Sequence, residues 1–473
     1  MTIKFGTDGW RAVISDEFTF ANVRHVAQAI ADFLLEEGGG RTGVVVGFDT
    51  RFLSDRYAIE VARVLAGNGI AVHLSKADCP TAALSYAVKA LDAAGGVMIT
   101  ASHNPPRYNG IKCKAYYGGP AMPEMTKQME AHLVANLEQG RESQTVEYEQ
   151  ALADGSIVRF DLLPGYLDHV RSLIDLERIA HFAPQVVVDP IYGAGRGYIK
   201  QFLEEAGLEV TEIHNEMNPG FGGLYPEPIA RNLGDLIATV TGSGCDIGLA
   251  TDGDADRIGA VDAQGNFIDP HRIFTLVLRH LVEERHQRGD VVKTVSTTKM
   301  VDILCLKYGL RLHETPVGFS YICDLMLHND VLIGGEESGG ITIRGHIPEG
   351  DGILMGLLLL EVMATHELPI HVIIRQLMDE IGYFHFGRHD LETKPFNKAE
   401  LVASLMAHVP ASAAGLSVVD VRDNDGVKYL LEDESWLLIR PSGTEPVLRI
   451  YAEARSREGV GQLLEQGAGL VGL

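Results

Sequence analysis

Apolar residues recur along the chain with two distinct periods. Val23, Val26, Ala27, Ile30, Phe33 and Leu34 lie three and four residues apart, so they share one face of a helix that Gly38-Gly39-Gly40 stops. Val44-Val45-Val46 follows as an unbroken apolar run, the pattern of a strand covered on both faces. Residues 54–66 read as a second helix, Gly67-Asn68-Gly69 as its stop, and Ile70 to Leu74 as the next strand. The same rhythm returns later. Val97-Met98-Ile99 runs into TASHNPPRYNG, Val186-Val187-Val188 into DPIYGAGRG, Ile247 to Ala250 into TDGDADR, and Val331-Leu332-Ile333 into GGEESGG. Continuous apolar strands alternating with helices predict α/β units. Ligands collect beyond the carboxyl ends of strands in such sheets, so these polar, small-residue loops are expected to face a shared cleft.

The polar stretch Glu138 to Ser156 predicts a link between units, and a second break follows Arg257. From about Tyr383 the pattern changes: a strand at Tyr383 to Phe386, a helix from near Asn397, a hairpin around Asp423-Asn424-Asp425-Gly426, and a last strand at Val447 to Tyr451. The expected units are 1–150, 151–258, 259–382 and a smaller α+β unit, 383–473. The most apolar run, Ile353 to Leu360, is far shorter than the ~20 residues of a membrane span and reads as a buried helix.

Length and composition agree. At roughly 100–200 residues per domain, 473 residues suit three or four domains. With 46% apolar and 22% charged residues, a disordered chain or a coiled coil is excluded. A net charge of −24 argues against nucleic-acid or anionic-membrane partners, which require a basic face. It leaves an anionic small substrate open, because exposed charges beyond about 8 Å are screened at physiological salt. The five cysteines are odd in number and lack ligand-like spacing, and no signal peptide opens the chain, so a reducing cytoplasm is expected.

Four loops carry candidate chemistry. In DGDADR, Asp252, Asp254 and Asp256 alternate, so in an extended backbone they project to one side, where a hard divalent cation such as magnesium would relieve their repulsion. Arg257 and Ala263 stand where an EF-hand needs glycine and glutamate, so that reading fails; a solvated acidic turn is the alternative. Ser102 follows a buried strand in TASHNPP, with His103 adjacent and Lys112 beyond; Asn-Pro-Pro also suits a plain turn. In RPSGTEP, Arg440, two hydroxyls and glycine-permitted amides suit a phosphate, with Arg449 close behind; an ordinary hairpin turn is the alternative. GGEESGG offers acceptors for sugar hydroxyls, or is a surface turn. The chain has no complete GxGxxG at 193–198 and no GK[ST], so nicotinamide binding and a Walker A loop are unsupported.

Together FGTDGWR, TASHNPPRYNGIK, DGDADR, GGEESGG and RPSGTEP, in this order, resemble the α-D-phosphohexomutase family across nearly the whole chain. The resemblance implies four domains around a central cleft, three similar α/β units with mixed sheets and a smaller C-terminal one. It implies transfer of phosphate between C1 and C6 of a hexose, through a phosphoserine and a hexose 1,6-bisphosphate that also serves as activator. Ser102 corresponds to the serine that carries the phosphoryl group. With Asp252, Asp254 and Asp256 it would bind Mg2+. Arg11, His103, Lys112 and Arg257 correspond to residues lining the phosphoserine, and Lys112 or His103 to a proton carrier. Glu336 and Ser338 correspond to the loop that grips sugar hydroxyls. Arg440, Ser442, Gly443 and Thr444, with Arg449, correspond to the site of the non-transferred phosphate. Thr315 to Phe319, including Gly318, resembles the loop that reads sugar orientation. GEESGG resembles the glucomutase form. Gly340 replaces a histidine of the mannose and glucosamine forms, His346 is the expected substitute, and Gly350 replaces a lysine. The expectation is a cytoplasmic phosphoglucomutase or phosphomannomutase, a monomer or homodimer. A phosphoglucosamine mutase, a sugar-phosphate phosphatase and a non-catalytic sugar-phosphate binder are the alternatives.

Overall fold

The computed structural model describes residues 3–6, 9–38, 42–393, 396–441 and 447–471. Its strands form four sheets. In the first, the order is Gly9–Val13, Tyr108–Ala115, Gly95–Ile99, Val44–Phe48, Val72–Ser75, Ile157–Phe160. In the second it is Phe267–Ile268, Ile258–Asp262, Ile247–Thr251, Val186–Asp189, Val210–Glu212. The third runs Leu312–Thr315, Asp290–Thr294, Val331–Gly335, Ile341–Ile343. Each has a parallel centre and an antiparallel return strand that directly follows, and pairs with, one of the parallel strands. The fourth sheet, His385–Glu392, Val447–Ala454, Trp436–Pro441, Val427–Leu431, Leu416–Arg422, Ser412–Ala413, is antiparallel throughout.

This topology sets the position of every candidate loop. The Ser102 loop joins Gly95–Ile99 to its antiparallel return, Tyr108–Ala115. The acidic loop joins Ile247–Thr251 to Ile258–Asp262, the Glu336 loop joins Val331–Gly335 to Ile341–Ile343, and residues 442–446 join Trp436–Pro441 to Val447–Ala454. The last segment, which contains Ser442, Gly443 and Thr444, lies outside the described residues, as do Thr7 and Asp8.

The first expected helix is Phe20–Glu36, capped by the Thr19 hydroxyl, with the six patterned residues buried. The apolar run Ile353 to Leu360 belongs to Gly352–His366, which is buried on all sides because the second and third units share one apolar core around it. Among the described residues no single helix is long and apolar enough to cross a membrane.

Three expectations change. Ile157–Phe160 pairs in parallel with Val72–Ser75, so the first sheet runs past residue 150 and the polar stretch before it is a crossover carrying the helix Tyr148–Asp154. The first strand of the fourth unit is His385–Glu392, two residues later and longer than expected; it is a half-exposed edge strand and lacks an apolar signature. A final helix, Arg457–Leu470, follows the last strand, and its glycines, poor helix formers, hid it. Gly467 is required there, since a Cβ would meet Ile450 at 2.7 Å.

Contacts tie the units together. Thr81 of the first unit donates its backbone N–H to the Asp254 carbonyl at 2.9 Å. Lys114 pairs with Glu349, joining the first unit to the third. The fourth unit leans on the third: Trp436, Leu438 and Tyr451 pack with Val295, and the buried Lys428 ammonium donates to the Val295 carbonyl at 2.6 Å.

Candidate active site

Ser102 is fully buried, with φ at +50°. A non-glycine residue in this left-handed region costs about 1–2 kcal/mol, so its surroundings must hold it. Arg51 does so. Its guanidinium donates to the carbonyls of Ser102, Asn104, Pro105 and Tyr108, the last three at 2.6, 2.9 and 3.0 Å. Asp49 lies 3.2 Å from Arg51 Nε and accepts from Thr100 Oγ1 at 2.6 Å. Sequence reasoning missed this brace, although an aspartate and an arginine two residues apart directly after an apolar strand were its signal. The bend it holds aims Ser102 Oγ at Asp252 Oδ2, to which it donates at 2.8 Å, and brings it 3.4 Å from His103 Nδ1.

The acidic loop is a turn and not the extended segment expected from its alternating carboxylates. Ala255 adopts φ +59°, and its N–H bonds to the Asp252 carbonyl. The carboxylates converge all the same: one oxygen from each of Asp252, Asp254 and Asp256 lies within 4.8 Å of the others. Lys112 Nζ donates to Asp254 Oδ2 at 2.7 Å and Asp256 Oδ2 at 2.6 Å, and Thr81 Oγ1 donates to Asp254 Oδ2 at 2.6 Å. Asp254 Oδ1 and Asp256 Oδ1 are buried with no hydrogen-bond partner among the described residues. Burial, then the charges of Asp256 and Asp254, push the Asp252 carboxyl well above the usual range. Converging hard oxygens, two of them without a hydrogen bond, fit a divalent cation such as Mg2+.

Cations surround the serine. Arg11 Nη1 donates to Asn104 Oδ1 at 2.8 Å, and Arg257 Nε lies 3.7 Å from Asp256 Oδ1. Burial, followed by the charges of Arg257, Arg11, Arg388 and Lys112, holds the His103 imidazole well below its ordinary pKa and so neutral. Arg388 belongs to the fourth unit, which therefore comes close to the serine loop.

On the third unit, Glu336 Oε1 accepts from the Gly318 N–H at 2.9 Å and Oε2 from Ser338 Oγ at 3.3 Å. Thr315 is buried and donates its hydroxyl to the Pro316 carbonyl. Burial, then Glu337, raises Glu336 to about 7, against the opposing charge of Arg257. Its ordinary value is 4.5, so the folded state binds the extra proton between these limits. This contribution to stability is complete below about 4.5 and is lost as pH rises through about 7. Melting temperatures measured across this window should fall less steeply for Glu336→Gln than for the wild-type protein; identical slopes would remove Glu336 as the titrating group.

His346 stands apart from these residues. Its side chain is fully enclosed, 3.0 Å from Asp351 Oδ2 and 3.0 Å from His169 Nε2. Asp351 also accepts from the Tyr166 hydroxyl and caps Gly352–His366. His346 thus cements the second unit to the third, and the expectation that it replaces the missing histidine at Gly340 is corrected: no face of the ring is open to a sugar. At Gly350, a Cβ would meet the Asp256 carbonyl at 2.6 Å, so no lysine fits there.

The fourth sheet presents a graded face. Asp390, Arg449 and Arg440 form one cross-strand row, and Arg388, Tyr451 and Leu438 the next row on that face. Both Asp390 oxygens accept from one edge of the Arg388 guanidinium, Oδ1 from Nε and Oδ2 from Nη2. Arg440 Nε donates to Asp425 Oδ2 at 2.6 Å, whereas the buried Arg449 Nε has no hydrogen-bond partner among the described residues. Neither Arg388 nor Asp425 was among the expected site residues.

Comparisons with known proteins agree over almost the whole length. The phosphoglucomutase/phosphomannomutase alpha/beta/alpha domain I matches residues 2–140, domain II 164–265, domain III 269–381, and the C-terminal domain 397–469. A phosphoglucomutase/phosphomannomutase of Thermococcus kodakarensis is 31% identical, covering 99% of this chain and 98% of its own. A phosphoglucosamine/phosphogalactosamine mutase of Sulfurisphaera tokodaii is 30% identical, covering 98% and 97%. The crystal structure of a candidate phosphomannomutase from Thermus thermophilus superposes with a TM-score of 0.87 at 39% identity, covering 100% of both chains. Three α/β units with hairpin-return loops and a fourth antiparallel one are the architecture of a phosphohexomutase. The chain belongs to the phosphoglucomutase/phosphomannomutase family, and it is an isomerase of the mutase type.

Proposed function

We propose that the protein interconverts hexose 1-phosphate and hexose 6-phosphate, glucose first and mannose second, through phosphorylated Ser102 and a hexose 1,6-bisphosphate. The observation that carries this reading is Ser102 Oγ, 2.8 Å from Asp252 in a convergent carboxylate cluster, with an arginine-bearing sheet on a separate unit. Phosphoryl transfer asks for alignment and charge neutralisation more than covalent invention. A mutase also needs two anion sites, whereas a phosphatase needs one.

The roles divide as follows. Ser102 Oγ gives its phosphoryl group to the free sugar hydroxyl and later takes back the group from the opposite end. Asp252, Asp254, Asp256 and the serine phosphate would hold Mg2+, which would neutralise charge on the transferring group. Arg11 and Arg257 bind its oxygens. Neutral His103 accepts the hydroxyl proton, and Lys112 is the second candidate for that step. Arg440, Arg449, Ser442, Gly443 and Thr444 hold the other phosphate. Glu336 and Ser338 bind O3 and O4, and Thr315 and Gly318 shape the loop beside them. Glucose and mannose share O3 and O4 and differ at C2, which supports dual use.

The test is a coupled assay on glucose, mannose and glucosamine 1-phosphates with magnesium and a trace of hexose 1,6-bisphosphate. The expected order places glucose highest and mannose within about tenfold, since one altered hydroxyl outside the contacted positions costs little. The Sulfurisphaera tokodaii relative keeps a second reading open, and a glucosamine rate above the other two would establish it. Net release of inorganic phosphate would mark a phosphatase instead.

A further inference from the structure

Asp425 sits in the turn between Leu416–Arg422 and Val427–Leu431. The next residue, Gly426, has φ +87°, and a Cβ there would meet the Ile439 carbonyl at 2.4 Å. Only glycine lets the turn lie this close to the strand that carries Arg440. Its placement puts the Asp425 carboxylate beside two different donors. Asp425 Oδ2 accepts from Arg440 Nε at 2.6 Å, within the fourth unit, and from the Val317 backbone N–H at 2.9 Å, on the third. Val317 precedes Gly318, whose own N–H bonds to Glu336 Oε1 at 2.9 Å. One carboxylate oxygen thus joins the arginine at the anion-facing edge to the loop that positions the sugar-side glutamate. The Arg440 side chain is only 9% exposed, so this charged contact is poorly screened. Among the described residues, its cross-strand neighbour Arg449 has no hydrogen-bond partner on its Nε.

We propose that Asp425 is a positioning residue that sets Arg440 and the 315–318 loop in a common register, so that the distal phosphate and the sugar are gripped together when the fourth unit is seated on the third. This inference rests on the mutase reading above. Asp425 acts through Arg440 and touches no reacting atom. In Asp425→Asn the amide oxygen still receives the Val317 N–H, but the charge that aims Arg440 is gone.

The experiment is steady-state kinetics on hexose 1-phosphate with full-length wild type, Asp425→Asn, Asp425→Glu, Arg440→Ala and the Asp425→Asn/Arg440→Ala pair, each with its melting temperature. Asp425→Asn is expected to raise KM about tenfold, the difference between a charge-assisted and a neutral hydrogen bond, with kcat within about threefold. In the Arg440→Ala background the same change should move KM less than about twofold, the non-additivity of residues acting as a unit. Asp425→Glu keeps the charge on a longer arm and should raise KM with an unchanged melting temperature, which covers a folding failure of the asparagine variant. An unchanged KM in a folded Asp425 variant, or full additivity with Arg440→Ala, would overturn the inference while leaving the mutase reading intact. Wild type without mutase turnover on any hexose phosphate would instead overturn the reading beneath it.

Discussion

Ser102→Ala is expected to lower mutase turnover by at least about a thousandfold, because removing a covalent carrier leaves only binding and electrostatic assistance. The fold should survive. The change deletes one oxygen from a buried site, with its hydrogen bond to Asp252 Oδ2 and its longer contact with His103 Nδ1, at a cost of about 1–3 kcal/mol. Arg51 holds the loop through the carbonyls of residues 102, 104, 105 and 108, and a side-chain truncation leaves those intact. The measurement pairs the coupled assay with phosphopeptide mapping. Wild-type protein incubated with hexose 1,6-bisphosphate should carry phosphate on the peptide containing residue 102, and the variant should not. Normal turnover by the variant, or phosphate on another residue, would remove Ser102 from the reaction.

The second large effect concerns stability. Lys112 is the buried counter-ion of Asp254 and Asp256, with its side chain 3% exposed. Breaking a buried ion pair from one side costs about 3–5 kcal/mol, since the partner charge stays behind without compensation. Lys112→Met is expected to lose that much when metal is chelated. Burial works to raise the Asp254 carboxyl, yet Lys112, through its charge and its hydrogen bond, and Thr81, through its hydroxyl, hold it below the ordinary 3.8. The stability this brings is present above pH 3.8 and is lost as pH falls through the depressed value. The variant should lose this acid limb. Magnesium at millimolar concentration should raise the melting temperature of Lys112→Met more than that of wild type, because the cation neutralises the same oxygens. Equal melting of the two proteins in EDTA would show that the ammonium is not the counter-ion.

The α/β rhythm was readable because strands covered on both faces are apolar without interruption, as in Val44 to Val46 and Val186 to Val188. The loops that follow them stand out by contrast. What resisted reading was long-range and polar. Asp425 meets Val317 across 108 residues, and Thr81 meets Asp254 across 173; no local pattern encodes either. His346 misled for the same reason: nothing near it in sequence announces His169 and Tyr166, whose packing encloses it. Edge strands also escape, because His385–Glu392 pairs on one side only and keeps charges on its surface. The acidic turn is a mixed case. Its residue types implied convergence, but the route is a left-handed Ala255 and not an extended backbone.

The Ser102, acidic and Glu336 returns are each anchored at both ends by their own sheet, yet they lock to one another: Ser102 Oγ bonds to Asp252, and the Ile258 N–H at the end of the acidic turn donates to the Gly339 carbonyl at 3.3 Å. Any exchange of residues 336–340 has to keep Gly339, whose φ is +100° and where a Cβ would meet the Ile258 carbonyl at 2.8 Å. Retuning for a new hexose is therefore confined to the side chains of 336–338, because the glycines behind them carry the backbone that meets the acidic turn.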